Sequence, residues 1–147
     1  AANSYSFYSV LLDAKKYIPI YSNIIWAQQL YAGNMDGDIP FYNLFQLGGK
    51  SRMRGISNKN MYINKKICFT QSEIRKHIWG KFGFVAFGGI GNTFDSYSFK
   101  NSTHIKFVYG TGLRFETNKR DKINLRMDYG RSNWGDSGFY ITMRECF

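Results

Sequence analysis

Residues 103–117 read Thr-His-Ile-Lys-Phe-Val-Tyr-Gly-Thr-Gly-Leu-Arg-Phe-Glu-Thr, and their alternation decides the fold class. Ile105, Phe107, Tyr109, Leu113 and Phe115 fall on odd positions, while His104, Lys106, Arg114 and Glu116 fall on even ones. A period of two is the signature of a strand, because successive side chains leave opposite faces of the backbone. The next run keeps the phase, with Ile123, Leu125, Met127 and Tyr129 against Lys122, Asn124, Arg126 and Asp128. The last run repeats it, with Phe139, Ile141, Met143 and Phe147 against Tyr140, Thr142 and Arg144. Three successive predicted strands therefore carry charge on one face and aliphatic or aromatic side chains on the other.

Charge on the inner face of a small closed core is costly, since each unpaired buried ion costs several kcal/mol. The same pattern is ordinary in a membrane barrel, whose apolar face is the outside and whose interior holds water. A soluble sheet with one solvated face gives the same alternation.

The first half of the chain is compatible but less regular. Tyr8, Val10, Leu12 and Ala14 alternate with Ser9, Asp13 and Lys15, and Ile24, Trp26 and Leu30 continue as a second strand. Between Met61 and Trp79 the apolar phase changes, from odd at Ile63, Ile67 and Phe69 to even at Ile74 and Ile78, which predicts a bulge near Gln71. Lys81 to Gly91 forms a glycine-rich strand. The predicted strands span about 5–18, 22–33, 61–78, 81–91, 103–117, 121–130 and 137–147, a transmembrane-type antiparallel β-barrel segment of about seven strands. One long loop, about 34–60, interrupts them, and loops of that length usually carry function. An odd strand count leaves the sheet edges needing partners, because lipid offers no hydrogen bonds to an open edge.

Composition agrees with this reading. The 147 residues include 13 Phe, 11 Tyr and 3 Trp, too much buriable surface for a solvated coil. The most apolar stretch, Phe82 to Ile90, is far shorter than the roughly 20 residues of a helical span. The mean hydropathy of -0.38 and formal charge of +10 fit strands with one face in lipid and one in water. The 20 Lys and Arg residues are dispersed, with no recognition helix or zinc-knuckle spacing, so nucleic acid is not an expected partner.

The long loop carries a motif. Residues 41–56 read Phe-Tyr-Asn-Leu-Phe-Gln-Leu-Gly-Gly-Lys-Ser-Arg-Met-Arg-Gly-Ile. Leu47-Gly48-Gly49 followed by Met53-Arg54-Gly55-Ile56 resembles the Leu-Gly-Gly stretch and hydrophobic-Arg-Gly-aromatic tetrapeptide of the bacterial surface-antigen superfamily of outer-membrane barrels, with Ile56 in the aromatic's place. Further stretches follow in the family's order. Ser72-Glu73-Ile74-Arg75 resembles its Glu-hydrophobic-Arg strand, and 85–91 resembles its Phe-x-Asp-x-Gly strand with Gly89 at the Asp position. Residues 110–115, 125–130 and 138–140 resemble the last strands. Each motif is short, and their order carries the resemblance over about 13–147.

The resemblance implies that 1–147 is the C-terminal part of a barrel of about sixteen strands, in the outer membrane of a Gram-negative-type envelope. Its partners would be the remaining strands, in the same precursor or another chain, and outer-membrane lipid, together with client outer-membrane proteins and accessory lipoproteins. It implies a role in inserting or exporting such proteins, and no enzyme activity or cofactor. By family position the loop folds into the lumen and Arg54 meets the wall at Glu73, with Phe87 to stack on the guanidinium and Asp128 to replace the acid missing at Gly89. The last strand, with Phe139, Ile141, Met143 and the terminal Phe147, would form one side of a lateral gate and the outer-membrane targeting signal, its alternation interrupted at Glu145.

Other chemistry is poorly supplied. His77 and His104 fall on different strands without a nucleophile or paired carboxylates. Asp36 and Asp38 lack a full calcium-loop pattern, and no metal site is expected. Cys68 and Cys146 lie four strand spacings apart, roughly 19 Å at ~4.8 Å per strand, against the ~5.5–6 Å that a disulfide spans. Two other functions share the pattern: a structural or pore-forming barrel without insertase activity, and a soluble β-barrel that binds a ligand.

Overall fold

The computed structural model describes residues 6–57, 63–94, 105–118 and 123–143. The strands are β1 (Phe7–Tyr21), β2 (Ile24–Gly37), β3 (Phe45–Gln46), β4 (Ile63–Asn64), β5 (Lys66–Trp79), β6 (Phe82–Phe94), β7 (Lys106–Asn118), β8 (Ile123–Ser132) and β9 (Ser137–Thr142). One 3-10 turn, Phe41–Asn43, precedes β3. Seven strands form a single antiparallel sheet in the order β1-β2-β5-β6-β7-β8-β9, and β3 pairs with β4 in a separate two-stranded sheet. The fold is the expected all-β, antiparallel barrel segment. β1 and β9 border the sheet and do not pair with each other among the described residues.

The two faces differ as the alternation requires. Trp26, Ile74, Phe84, Phe107, Leu113, Tyr129 and Ile141 line an exposed apolar face. The opposite, inner face buries Gln29, Gln71, Glu73, Arg114, Arg126 and Asp128. Apolar outside and charged inside is the inverse of a soluble sandwich and the arrangement of a membrane barrel wall.

The phase change in β5 has a different origin from the bulge expected near Gln71. Pairing with β2 is continuous from Lys66 to Lys76, and the irregularity towards β6 falls between His77 and Trp79. Ile67 and Phe69 lie on the inner face with Gln71 and Glu73, and they are apolar because the long loop covers them. Together with Tyr31, Phe45, Leu47, Met53, Ile56 and Val108 they form the buried hydrophobic cluster. The ring of Tyr31 stacks on Phe69 at 4.9 Å between centroids.

The loop boundary also shifts. Asn34–Gly37, assigned to the loop by their polarity, continue β2 and pair with Phe7–Val10 of β1. The loop begins after Gly37, and its Phe45 ring occupies the space a side chain at Gly33 would need. This contact turns the loop back over the inner face of β2.

Candidate functional site

A row of inner-face residues crosses all seven strands in register: Tyr17, Ala27, Glu73, Phe87, Gly110, Gly130 and Gly138. Its small members leave a trough across the wall, and the loop tip lies in it. Gly55 has φ +117, and a Cβ there would meet the backbone nitrogen of Arg131 at 2.9 Å. A Cβ on Gly130 would meet the carbonyl oxygen of Arg54 at 2.7 Å. The glycine after Arg54 is therefore required twice, by its left-handed backbone and by the contact of backbone on backbone.

That contact aims Arg54 into the wall. Its Nη2 donates to Glu73 Oε2 and its Nη1 to Asp128 Oδ2, the latter at 2.7 Å. The guanidinium carbon stands 3.7 Å from the centroid of the Phe87 ring. All three charged side chains have 0% solvent exposure. A planar fork with a cation–π face can satisfy two carboxylates and an aromatic ring at once, which an ammonium cannot.

Two further layers complete the site. Glu73 Oε1 accepts from Arg75 Nε at 2.5 Å and from Arg114 Nη2 at 2.6 Å, and Asp128 Oδ2 lies 2.6 Å from Arg126 Nε. Two carboxylates thus hold four guanidiniums. Above them, Gln71 accepts from the Met53 amide at 3.3 Å and donates to Gln29 at 2.7 Å and to the Ser51 carbonyl at 3.0 Å. The loop is also tied to the sheet border. The Tyr140 hydroxyl of β9 accepts from the Gly55 amide at 3.3 Å and donates to the Ile56 carbonyl at 3.4 Å. Asp136, in the β8–β9 turn, accepts from the Ser57 amide and hydroxyl at 2.8 and 2.6 Å.

The structure brings together Leu47, Gly48, Gly49, Met53, Arg54, Gly55 and Ile56 of the loop with Glu73, Phe87 and Asp128 of the wall. Leu47, Met53 and Ile56 are buried in the apolar cluster, and Gly49 donates to the Ile56 carbonyl at 3.1 Å. Met53 is the one non-glycine residue with positive φ (53°) among the described residues. Its sulfur sits 3.0 Å from where a Gly89 Cβ would be, so the lack of a side chain at 89 leaves room for Met53. Phe139, Ile141 and Met143 do not join this site; they are 63%, 62% and 70% exposed on the outer face and beyond β9. Phe147 lies outside the described residues.

Sequence reasoning did not single out Arg75, Arg114, Arg126, Gln71, Tyr140 or Asp136 as partners. A signal was present: arginines on the polar phase of β5, β7 and β8 converge once the register is known.

An antiparallel wall, apolar outside and charged inside, with a long loop pinned to its inner face by a buried arginine, defines an outer-membrane-type barrel with an inward-folded loop. The Omp85 superfamily domain model matches residues 1–143, and the chain belongs to that superfamily. No curated protein matches the chain at a significant level.

Proposed function

We propose that this chain is part of an outer-membrane barrel that assists the insertion or export of other outer-membrane proteins. The carrying observation is the Arg54 clamp, which holds the loop tip across the wall with its charges fully desolvated. A loop kept only to cover a pore needs its apolar cluster; it does not need a motif arginine shared by two strands and tied onward to the border strand by Tyr140. On this reading the loop fixes the shape of the wall, and β9, with Phe139 and Ile141 outward, supplies one edge of a lateral gate. The partners are the remaining barrel strands, outer-membrane lipid, client proteins and accessory lipoproteins. The work is mechanical and non-enzymatic, and calls for no cofactor.

The test is Arg54→Ala in the intact cell envelope, followed by the steady-state level of folded client barrels. The expected outcome is a fall in client assembly while this protein is still found in the outer membrane. Unchanged client assembly would favour a structural or pore-forming barrel on the same scaffold.

A further inference from the structure

One row from the clamp, on the side of the long loop, the inner face carries Lys15, Gln29, Gln71 and Gly89 in register. Three hydrogen bonds along this row form a directed chain. The Met53 amide donates to Gln71 Oε1 at 3.3 Å, Gln71 Nε2 donates to Gln29 Oε1 at 2.7 Å, and Gln29 Nε2 donates to Asp13 Oδ1 at 2.7 Å. Lys15 Nζ holds the other oxygen of Asp13 at 3.2 Å. Both glutamines are buried, each 4% exposed. The chain runs from the loop tip across β5 and β2 to the border strand β1.

The order of its atoms follows from the end group. An ionised carboxylate accepts and does not donate, so Asp13 draws the NH2 of Gln29 towards itself. Gln29 then turns its carbonyl to Gln71, which presents its own NH2 there and its carbonyl to the Met53 amide. The Ser51 carbonyl, which also accepts from Gln71 Nε2, favours the same orientation. Two carboxamides in series thus carry the polarity of a charge on β1 to a backbone N–H of the loop, and bonds linked in this way polarise one another. The receiving residue is a demanding one. Met53 has φ 53°, a region that L side chains seldom adopt, and it immediately precedes Arg54.

We propose that Asp13 is a positioning residue for the loop tip. From the border strand it orients Gln29 and Gln71, and through them it steadies the Met53 backbone from which Arg54 reaches Glu73 and Asp128. A change at the β1 border is thereby felt at the motif arginine. The functional consequence rests on the reading of the loop given above; the relay itself does not.

Hydrogen–deuterium exchange of the Met53 and Gly55 amides, read in the full-length protein in detergent, tests the relay through a double-mutant cycle. Asp13→Ala should speed exchange at Met53 about tenfold, the loss of one charge-assisted contact, and leave Gly55, held by Tyr140, near its parent rate. Asp13→Asn offers an acceptor of the same shape and should stay close to the parent. Lys15→Gln removes the ion pair without touching the relay and should do the same. Gln29→Met cuts the chain at its centre with little change of volume and should reproduce the effect of Asp13→Ala. Adding Asp13→Ala to Gln29→Met should then change nothing further, whereas a general packing role for Asp13 would persist in that background and would not spare Gly55. If Asp13→Ala does not fold, the strand-favouring Asp13→Val completes the same cycle. Unchanged Met53 exchange on loss of the carboxylate, or full additivity with Gln29→Met, overturns the proposal. Neither result bears on client assembly in Arg54→Ala, so the relay and the proposed function fail separately.

Discussion

Arg54 and Asp128, one at the loop tip and one on the eighth strand, share a 2.7 Å hydrogen bond that solvent does not reach at either end. The bond spans 74 positions of sequence, so it forms only when β5 through β8 are already in register. Loop closure of that length is costly, and the clamp consequently reports on the finished wall more than on local structure.

Removing one side of the clamp should be severe. Arg54→Ala leaves Glu73 and Asp128 buried beside a smaller cation set, and breaking a buried pair typically costs ~3–5 kcal/mol. Arg54→Lys keeps the charge without the fork or the planar face over Phe87, and should recover only part of the loss. Urea unfolding of the detergent-solubilised protein should rank the parent above Arg54→Lys, and Arg54→Lys above Arg54→Ala.

The trough beneath the tip should tolerate no methyl group. Gly55→Ala meets a φ of +117 and the Arg131 backbone, and Gly130→Ala meets the Arg54 carbonyl. Strain of this kind costs about 1–3 kcal/mol at each site. Because both substitutions press on one contact, the double variant should cost less than the sum of the two, which a double-mutant cycle measures.

An acid placed at position 89 should not strengthen the clamp. An aspartate at Gly89 would press on the Met53 sulfur, and the expected result of Gly89→Asp is a lower Tm. Pairing it with Met53→Ala should return part of the loss. A rise in Tm for Gly89→Asp alone would show that Met53 is not what fills this space.

The tie from the loop to the border strand should be separable from the clamp. Tyr140→Phe removes the hydroxyl that bridges Gly55 and Ile56, at a cost of about 1 kcal/mol. Hydrogen exchange at the Gly55 amide should accelerate while the Met53 amide, held by Gln71, changes little. Equal acceleration at both would mean that the tip opens as one unit.

Much of this architecture was legible in the sequence, for a physical reason. In β7 and β8 the exterior is apolar and the interior charged, so period-two alternation is strong and the strands announce themselves. Ile67 and Phe69 misled because inner-face residues are apolar where a loop covers them, and no local pattern distinguishes that from a bulge. Asn34 and Asp36 misled in the opposite sense, since polar residues at the end of β2 resemble a loop. Arg54, Glu73 and Asp128 could be named from the motif. Arg114 and Arg126 required the register, which places them opposite each other and beneath the clamp.

The central claim is that Arg54 fixes the loop tip to the inner wall. The amides of Gly49, Met53, Gly55, Ile56 and Ser57 all donate to loop or wall acceptors, so they report directly on that state. Hydrogen–deuterium exchange over 47–57 should be slow in the parent protein and about 100-fold faster or more in Arg54→Ala, as expected when local opening is eased by ~3 kcal/mol or more. Protection that is the same in both proteins would contradict the claim.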